Sequence, residues 1–289
     1  MRGSMTALVT PFKNGAVDMP ALDRLIEHQI AAGTQALVIM GTTAEAPTLD
    51  ASERVSVIER AIDVCRDRTE VIVGTGTNST KSSIELQAHA KSLGAAAGLV
   101  VAPYYNKPSQ DGLIAHFNAI ANAVELPIIA YNIPARCGVD ILPETMAEMA
   151  KHPHIIGVKD ATGDVSRVNA HRELIGPDFI QLSGDDATSL AYNKSGGDGS
   201  ISVTANVAPE LCYALQSASA SKDWATAEKL DEVLQPLHKA LFLAPNPCPA
   251  KHALSVLGLC NGEVRLPLIE APDYVKRAVD RALKGCGLL

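Results

Sequence analysis

Eight short apolar or β-branched runs recur over the first 205 or so residues, separated by longer stretches of mostly helical period, and this alternation restricts the fold more than any other feature. The runs are MTALVT, ALVIM, EVIVG, AGLVVA, PIIAY, HIIGVK, FIQLS and GSISVT. Strands that alternate with helices pair in parallel, because the helix supplies the crossover that a hairpin lacks. Eight such pairs predict an α/β fold, a closed (β/α)8 barrel. Asp18 stands before PALDRLIEHQIAAG, and Asp50 with Glu53 has capping-box spacing at the start of ASERVSVIERAIDVC. Gly33 and Gly94 fall where helices should stop.

Beyond Leu211 the pattern is purely helical, in CYALQSASASKDWATAEKLDEVLQPLHKAL, PAKHALSVLGL and PDYVKRAVDRALKG. The expected division is a barrel over residues 1–220 and a C-terminal helical region over 221–289, with no repeat or low-complexity linker. The 47 % of apolar residues suffices for a large core. A net charge of -7 without any long basic run opposes a nucleic-acid surface. No apolar run approaches the roughly 18 residues of a membrane span, and MRGSMTALVTPF lacks the apolar stretch of a signal peptide. A cytoplasmic protein is expected. Cys65, Cys137, Cys212, Cys248, Cys260 and Cys286 are widely and irregularly spaced without a C-x-x-C, as suits buried thiols in a reducing compartment.

A (β/α)8 barrel keeps its chemistry at the carboxyl ends of its strands. Here those ends read GTTAEAPTL, GTGTNST, APYYNKPSQDG, YNIPARCG, Lys159, SGDD and TANV. Lys159 is the only lysine that terminates a strand-like run. It either snorkels out over the rim or sits half-buried, where lost hydration lowers its pKa and a neutral amine can attack a carbonyl. Tyr131 closes the neighbouring strand and offers a phenol for the proton transfers that imine chemistry needs. Thr42 and Thr43 follow a glycine and can present hydroxyls and N–H groups to a carboxylate, or form only a turn. Arg136 can clamp a second carboxylate, or make a surface salt bridge.

Other motifs carry less. GTGTNS lacks the third glycine of a dinucleotide fingerprint, and no Walker A sequence occurs. His152 and His154 precede the sixth strand and so belong to the face opposite the chemistry. Asp186 in SGDD could face a cation, but the favoured reading is a cap on the helix that follows. No cofactor and no metal are expected.

GTTAEAPTL, GTGTNST, APYYNKPSQDG, YNIPARCG, GVKDATGD, LSGDD, GSISVTANV and NPCPAKHAL occur in that order. With them the chain resembles, from GSMTALVTPF to LKGCGLL, the 4-hydroxy-tetrahydrodipicolinate synthase (dihydrodipicolinate synthase) family of the pyruvate-dependent class I aldolases. The resemblance implies that Lys159 forms a Schiff base with pyruvate and that Tyr131 is its acid/base. It further implies that Thr42 links Tyr131 to Tyr105, which in the family reaches in from a neighbouring subunit. Thr43 would hold the pyruvate carboxylate through its main chain, Gly184 and Ile201 would line the pyruvate pocket, and Arg136 would bind the carboxylate of L-aspartate 4-semialdehyde. The implied assembly is a homotetramer, a dimer of dimers. The implied product is 4-hydroxy-tetrahydrodipicolinate, at the first committed step of lysine and diaminopimelate biosynthesis.

Sialic-acid lyases and sugar-acid aldolases or dehydratases share the lysine and tyrosine but are less similar around YNIPARCG and PYYNKPSQDG. A catalytically silent oxoacid sensor would not need Lys159 and Tyr131 together. The family's GTTGES reads GTTAEA here, and if Ala44 takes a positive φ it costs about 1 kcal/mol. Asn78 and Tyr104 match family positions that contact lysine as an inhibitor, whereas Ala46, Ala51, Arg54 and Ser82 replace the other polar contacts. Inhibition by lysine is therefore expected to be weak or absent.

Overall fold

The computed structural model describes every residue from Met1 to Leu289. Each of the eight runs forms a strand: β1 Gly3–Ala7, β2 Ala36–Ile39, β3 Glu70–Gly74, β4 Ala97–Val101, β5 Ile128–Asn132, β6 Ile155–Asp160, β7 Ile180–Ser183 and β8 Gly199–Ser202. They pair in parallel in chain order, and β1 pairs with both β2 and β8, so the sheet closes on itself. Met5, Ile72, Leu99, Ile129, Leu182 and Ile201 fill the interior, with Tyr131 among them at the top.

One irregularity decides which side chains enter that interior. Ile128 pairs with Ile155 but Ile129 pairs with Gly157, so Ile156 is an extra residue in β6. Below the bulge Ile155 packs outward against the helices while Ile156 touches the inner cluster; above it Val158 again packs outward. Ile155 and Val158 are three residues apart on one face, which a strict period of two forbids. The bulge shifts the phase by one residue, and Lys159 consequently points into the barrel mouth beside Tyr131.

The helix ends follow the local signals. Asp18 accepts the N–H of Ala21 at 3.1 Å, and Asp50 and Glu53 form the reciprocal capping box at 2.8 and 3.1 Å. Gly94 ends its helix with φ +98°, and Gly33, with φ +84°, follows directly after the cap residue of the helix Met19–Ala31. The helix Pro209–Ala220 packs on β1, and Trp224–Ala240, Cys248–Val256 and Asp273–Gly285 follow it. These C-terminal helices share one apolar core with the start of the barrel, joining Leu237, Leu254 and Val279 to Leu8, Leu22 and Leu37. No helix is long and apolar enough to cross a membrane.

Closure of the barrel depends on two facing glycines. Gly3 and Gly199 are register partners, and a Cβ on Gly199 would lie 2.2 Å from the Gly3 carbonyl oxygen with φ at +147°. Gly199→Ala is expected to destabilise the protein by about 3 kcal/mol, the scale of overpacking plus a strained φ. Chemical denaturation checks this, and an unchanged midpoint would show that β1 and β8 can separate at little cost.

Candidate active site

Lys159 and Tyr131 are register partners on β6 and β5, and Lys159 Nζ lies 4.3 Å from the centre of the Tyr131 ring. Both side chains are buried. Burial pulls the Lys159 ammonium down to about 8; the Asp186 carboxylate opposes that fall and Arg136 adds to it. At pH 7 such a value leaves roughly one amine in ten neutral, against roughly one in 2,500 at the ordinary 10.4. Burial also pushes the Tyr131 phenol up to about 12, with Arg136 and the nearby Thr42 side chain restraining the rise. Near neutrality the pair is thus an amine poised to lose its proton beside a phenol that keeps its own.

Gly184, just after β7, makes room for the lysine. A Cβ there would lie 3.0 Å from Lys159 Cε and 2.9 Å from the Ala161 Cβ, and the Gly184 N–H donates to the Asp160 carbonyl at 2.6 Å. Ile201 is a buried wall of the inner cluster below this point. Asp186 does not cap the helix that follows it. Its Oδ2 accepts the N–H groups of Val203 and Thr204 at 2.9 and 3.0 Å and the Thr204 hydroxyl at 3.2 Å, all after β8. Asp186 already lies within the short 3-10 turn Asp186–Thr188 and faces inward, so the donors within its reach are the buried ones of the neighbouring strand end.

Thr42 and Thr43 sit in the loop that leaves β2, between Met40 at φ +57° and Glu45 at φ +53°. Ala44 does not have a positive φ, so the backbone strain falls on Glu45, one residue later than the sequence suggested. The carbonyl of Met40 passes so close to β3 that a Cβ on Gly74 would lie 2.1 Å from it. Thr43 Oγ1 accepts a hydrogen bond from Asn246 Nδ2 at 2.9 Å.

A cavity of about 450 Å³ opens above, and Thr42, Glu45, Tyr104, Tyr131, Arg136 and Asn246 are in its wall. Lys159, Thr43, Gly184 and Ile201 are not, although the Lys159 amine packs over the ring of Tyr131, which is. Arg136, in the short helix Pro134–Cys137 after β5, is exposed and makes no ion pair within the chain. Tyr105 is 88 % exposed with φ +71°, and the single chain does not bring it to the cavity. The Asn78 carbonyl accepts a hydrogen bond from Asn106 Nδ2 at 2.9 Å, and Tyr104 is partly exposed at the cavity edge. His152 and His154 take structural partners, Asn122 Oδ1 at 3.1 Å and the Ala121 carbonyl at 3.2 Å.

The sequence reading assigned no role to Glu45, Asn246 or Lys251. Their signal lay in two motifs already singled out, GTTAEA and NPCPAKHAL, the second of which places a lysine among small apolar residues.

A buried lysine with a depressed pKa beside a tyrosine, at the mouth of a (β/α)8 barrel, is the pair that a lyase of the class I aldolase type requires. The family model described as the dihydrodipicolinate synthetase family matches residues 1–286, and the chain belongs to that family. It is 52 % identical over 289 residues to the 4-hydroxy-tetrahydrodipicolinate synthase of Cereibacter sphaeroides, covering the whole of both chains. It is 53 % identical to that of Hyphomonas neptunium, covering 99 % of this chain and 98 % of the relative. Among solved structures, the dihydrodipicolinate synthase of Aquifex aeolicus superposes with a TM-score of 0.97 at 42 % identity, over 100 % of this chain and 99 % of that one. The chloride-inhibited enzyme of Acinetobacter baumannii complexed with pyruvate superposes with a TM-score of 0.97 at 44 % identity, over the same shares.

The charges around Lys159 set the sign of a testable pH dependence. Reductive methylation of Lys159, followed by peptide mapping across pH, should show a midpoint about 8. Asp186→Asn should lower that midpoint, because it removes the carboxylate that stabilises the ammonium, and Arg136→Ala should raise it. A midpoint near 10.4 in the wild type would contradict the buried environment.

Proposed function

We propose that the chain condenses pyruvate with L-aspartate 4-semialdehyde to give 4-hydroxy-tetrahydrodipicolinate, the first committed step of lysine and diaminopimelate biosynthesis. The observation that carries this reading is the buried Lys159–Tyr131 pair beneath a cavity whose rim bears an unpaired arginine. The neutral Lys159 amine attacks C2 of pyruvate, and loss of water gives an imine. Tyr131 supplies and recovers the protons, since its raised pKa keeps the phenol protonated when it must donate. Loss of a methyl proton yields the enamine, whose carbon attacks the aldehyde. The amine of the second substrate then closes on the imine carbon and expels Lys159, which regenerates the enzyme without an external oxidant or reductant.

The remaining roles extend this reading. Thr43 holds the pyruvate carboxylate through its main chain, and Gly184 and Ile201 bound the pyruvate. Thr42 passes protons between Tyr131 and Tyr105. An aromatic side chain left almost wholly in water on a left-handed backbone is well suited to insertion into a neighbouring subunit, so Tyr105 acts across an interface of a homotetramer built as a dimer of dimers. Cytoplasmic location accords with the substrates and the free cysteines. Asn78 and Tyr104 are remnants of an effector site. Arg54, which donates to the Ala46 carbonyl at 2.8 Å, puts a fixed cation beside Tyr104 where lysine would have to bind.

Arg136 serves the second substrate only. Borohydride reduction in the presence of pyruvate should fix a label on the peptide containing Lys159 in both the wild type and Arg136→Ala. Condensation by Arg136→Ala should fall by about 2 kcal/mol, roughly thirtyfold in kcat/KM for the semialdehyde, the scale of one charge-assisted hydrogen bond. Equal loss of trapping in Arg136→Ala would contradict that role, and trapping at another lysine would contradict the reaction.

A further inference from the structure

The loop Gly41–Leu49, which carries Thr42 and Thr43, is held at three points by residues beyond position 240. Asn246 donates to the Thr43 hydroxyl at 2.9 Å. Glu45 Oε1 lies 2.5 Å from Lys251 Nζ, and Glu45 Oε2 accepts the backbone N–H of Arg265 at 2.9 Å. The Arg265 guanidinium donates to the Thr48 carbonyl at 2.9 Å and to both oxygens of Glu53, at the start of the next helix. Lys251 itself is seated by the Glu263 carbonyl at 2.8 Å and stands 4.0 Å above the centre of the Phe12 ring.

Two features set Glu45 and Lys251 apart from ordinary packing. Both side chains are fully buried, at 0 % exposure. A buried ion pair adds little net stability over an apolar pair of equal volume, so stability alone does not explain its presence. Glu45 also holds φ +53°, a conformation that a residue other than glycine keeps where its surroundings enforce it. Its carboxylate is tied on one side to Lys251 and on the other to the Arg265 N–H. Its own N–H closes the turn onto the Thr42 carbonyl at 3.1 Å, so the strained residue, the buried charge and the two threonines occupy four consecutive positions.

We propose that the Glu45–Lys251 ion pair is a positioning device that locks the Thr42–Thr43 turn in register with Lys159 and Tyr131, an inference that rests on the proposed roles of the two threonines toward pyruvate. The helix Cys248–Val256 is on this account part of the pyruvate site, although none of its side chains touches the substrate. Loosening the pair displaces the turn that receives pyruvate and leaves Arg136, carried on the β5 end, where it is.

The test is a pyruvate titration of borohydride trapping at Lys159, with steady-state kinetics and thermal melts, on wild type, Glu45→Asp and the double variant Glu45→Gln with Lys251→Met. The double variant removes both charges and leaves no unpaired buried ion; Glu45→Asp keeps both charges and withdraws the carboxylate by one methylene. In each, half-saturation by pyruvate should rise about fivefold or more, while KM for the semialdehyde stays within about twofold of wild type. A folded variant with pyruvate half-saturation within about twofold of wild type overturns the positioning role, as does an equal rise in both constants. If the double variant does not fold, Glu45→Asp decides alone, and failure of both to fold makes the pair a folding element and overturns the inference. Wild type that is not trapped at Lys159 removes the pyruvate reading and this inference with it, whereas trapped wild type with unmoved variants removes only this inference.

Discussion

One extra residue in β6 decides which of its side chains enter the barrel mouth. Without Ile156 as a bulge, strict alternation from the outward-facing Ile155 would turn Lys159 toward the helices and away from Tyr131. With it, the amine enters the mouth, loses most of its water and meets the phenol at 4.3 Å from the ring centre. The depressed lysine and the raised tyrosine share this one cause, because burial is the largest influence on each. Gly184 is the matching device just after β7, since any side chain there would meet the lysine stem.

Much of the fold was legible because its signals are local. Each strand is a short apolar run, and the capping residues Asp18 and Asp50 do what their side chains dictate within three residues of themselves. Two residues of the site depart from what their sequence neighbours imply. Asp186 caps the turn after β8 instead of its own helix, because the nearest buried donors belong to residues 203 and 204. The strain in GTTAEA rests on Glu45 and not on Ala44. Neither the phase shift in β6 nor the Glu45–Lys251 pair could be read from spacing, since one depends on strand register and the other joins residues 206 positions apart.

The C-terminal helices are tied to the barrel in two ways that differ physically. Their apolar faces continue the large core, a contact that tolerates volume-conserving change. Polar contacts from the same C-terminal region converge on the β2 loop, where Asn246 meets Thr43, Lys251 meets Glu45, and Arg265 meets both Glu45 and Thr48. Buried charges and buried amides leave little tolerance for displacement, because each unmet group keeps its full desolvation cost. The geometry at the mouth is thus set by strand register on the β6 side and by long-range polar contacts on the β2 side.

In the proposed reaction Lys159 and Tyr131 act as one unit, the amine forming the imine and the phenol moving the protons. Proton NMR of pyruvate in deuterated buffer, with no second substrate, measures this directly, because each passage through the enamine exchanges a methyl proton for deuterium. The wild type should wash out the methyl signal, Lys159→Ala should show no washout above background, and Tyr131→Phe should be slower by about a hundredfold or more. Washout by Lys159→Ala at the wild-type rate would contradict the proposed reaction.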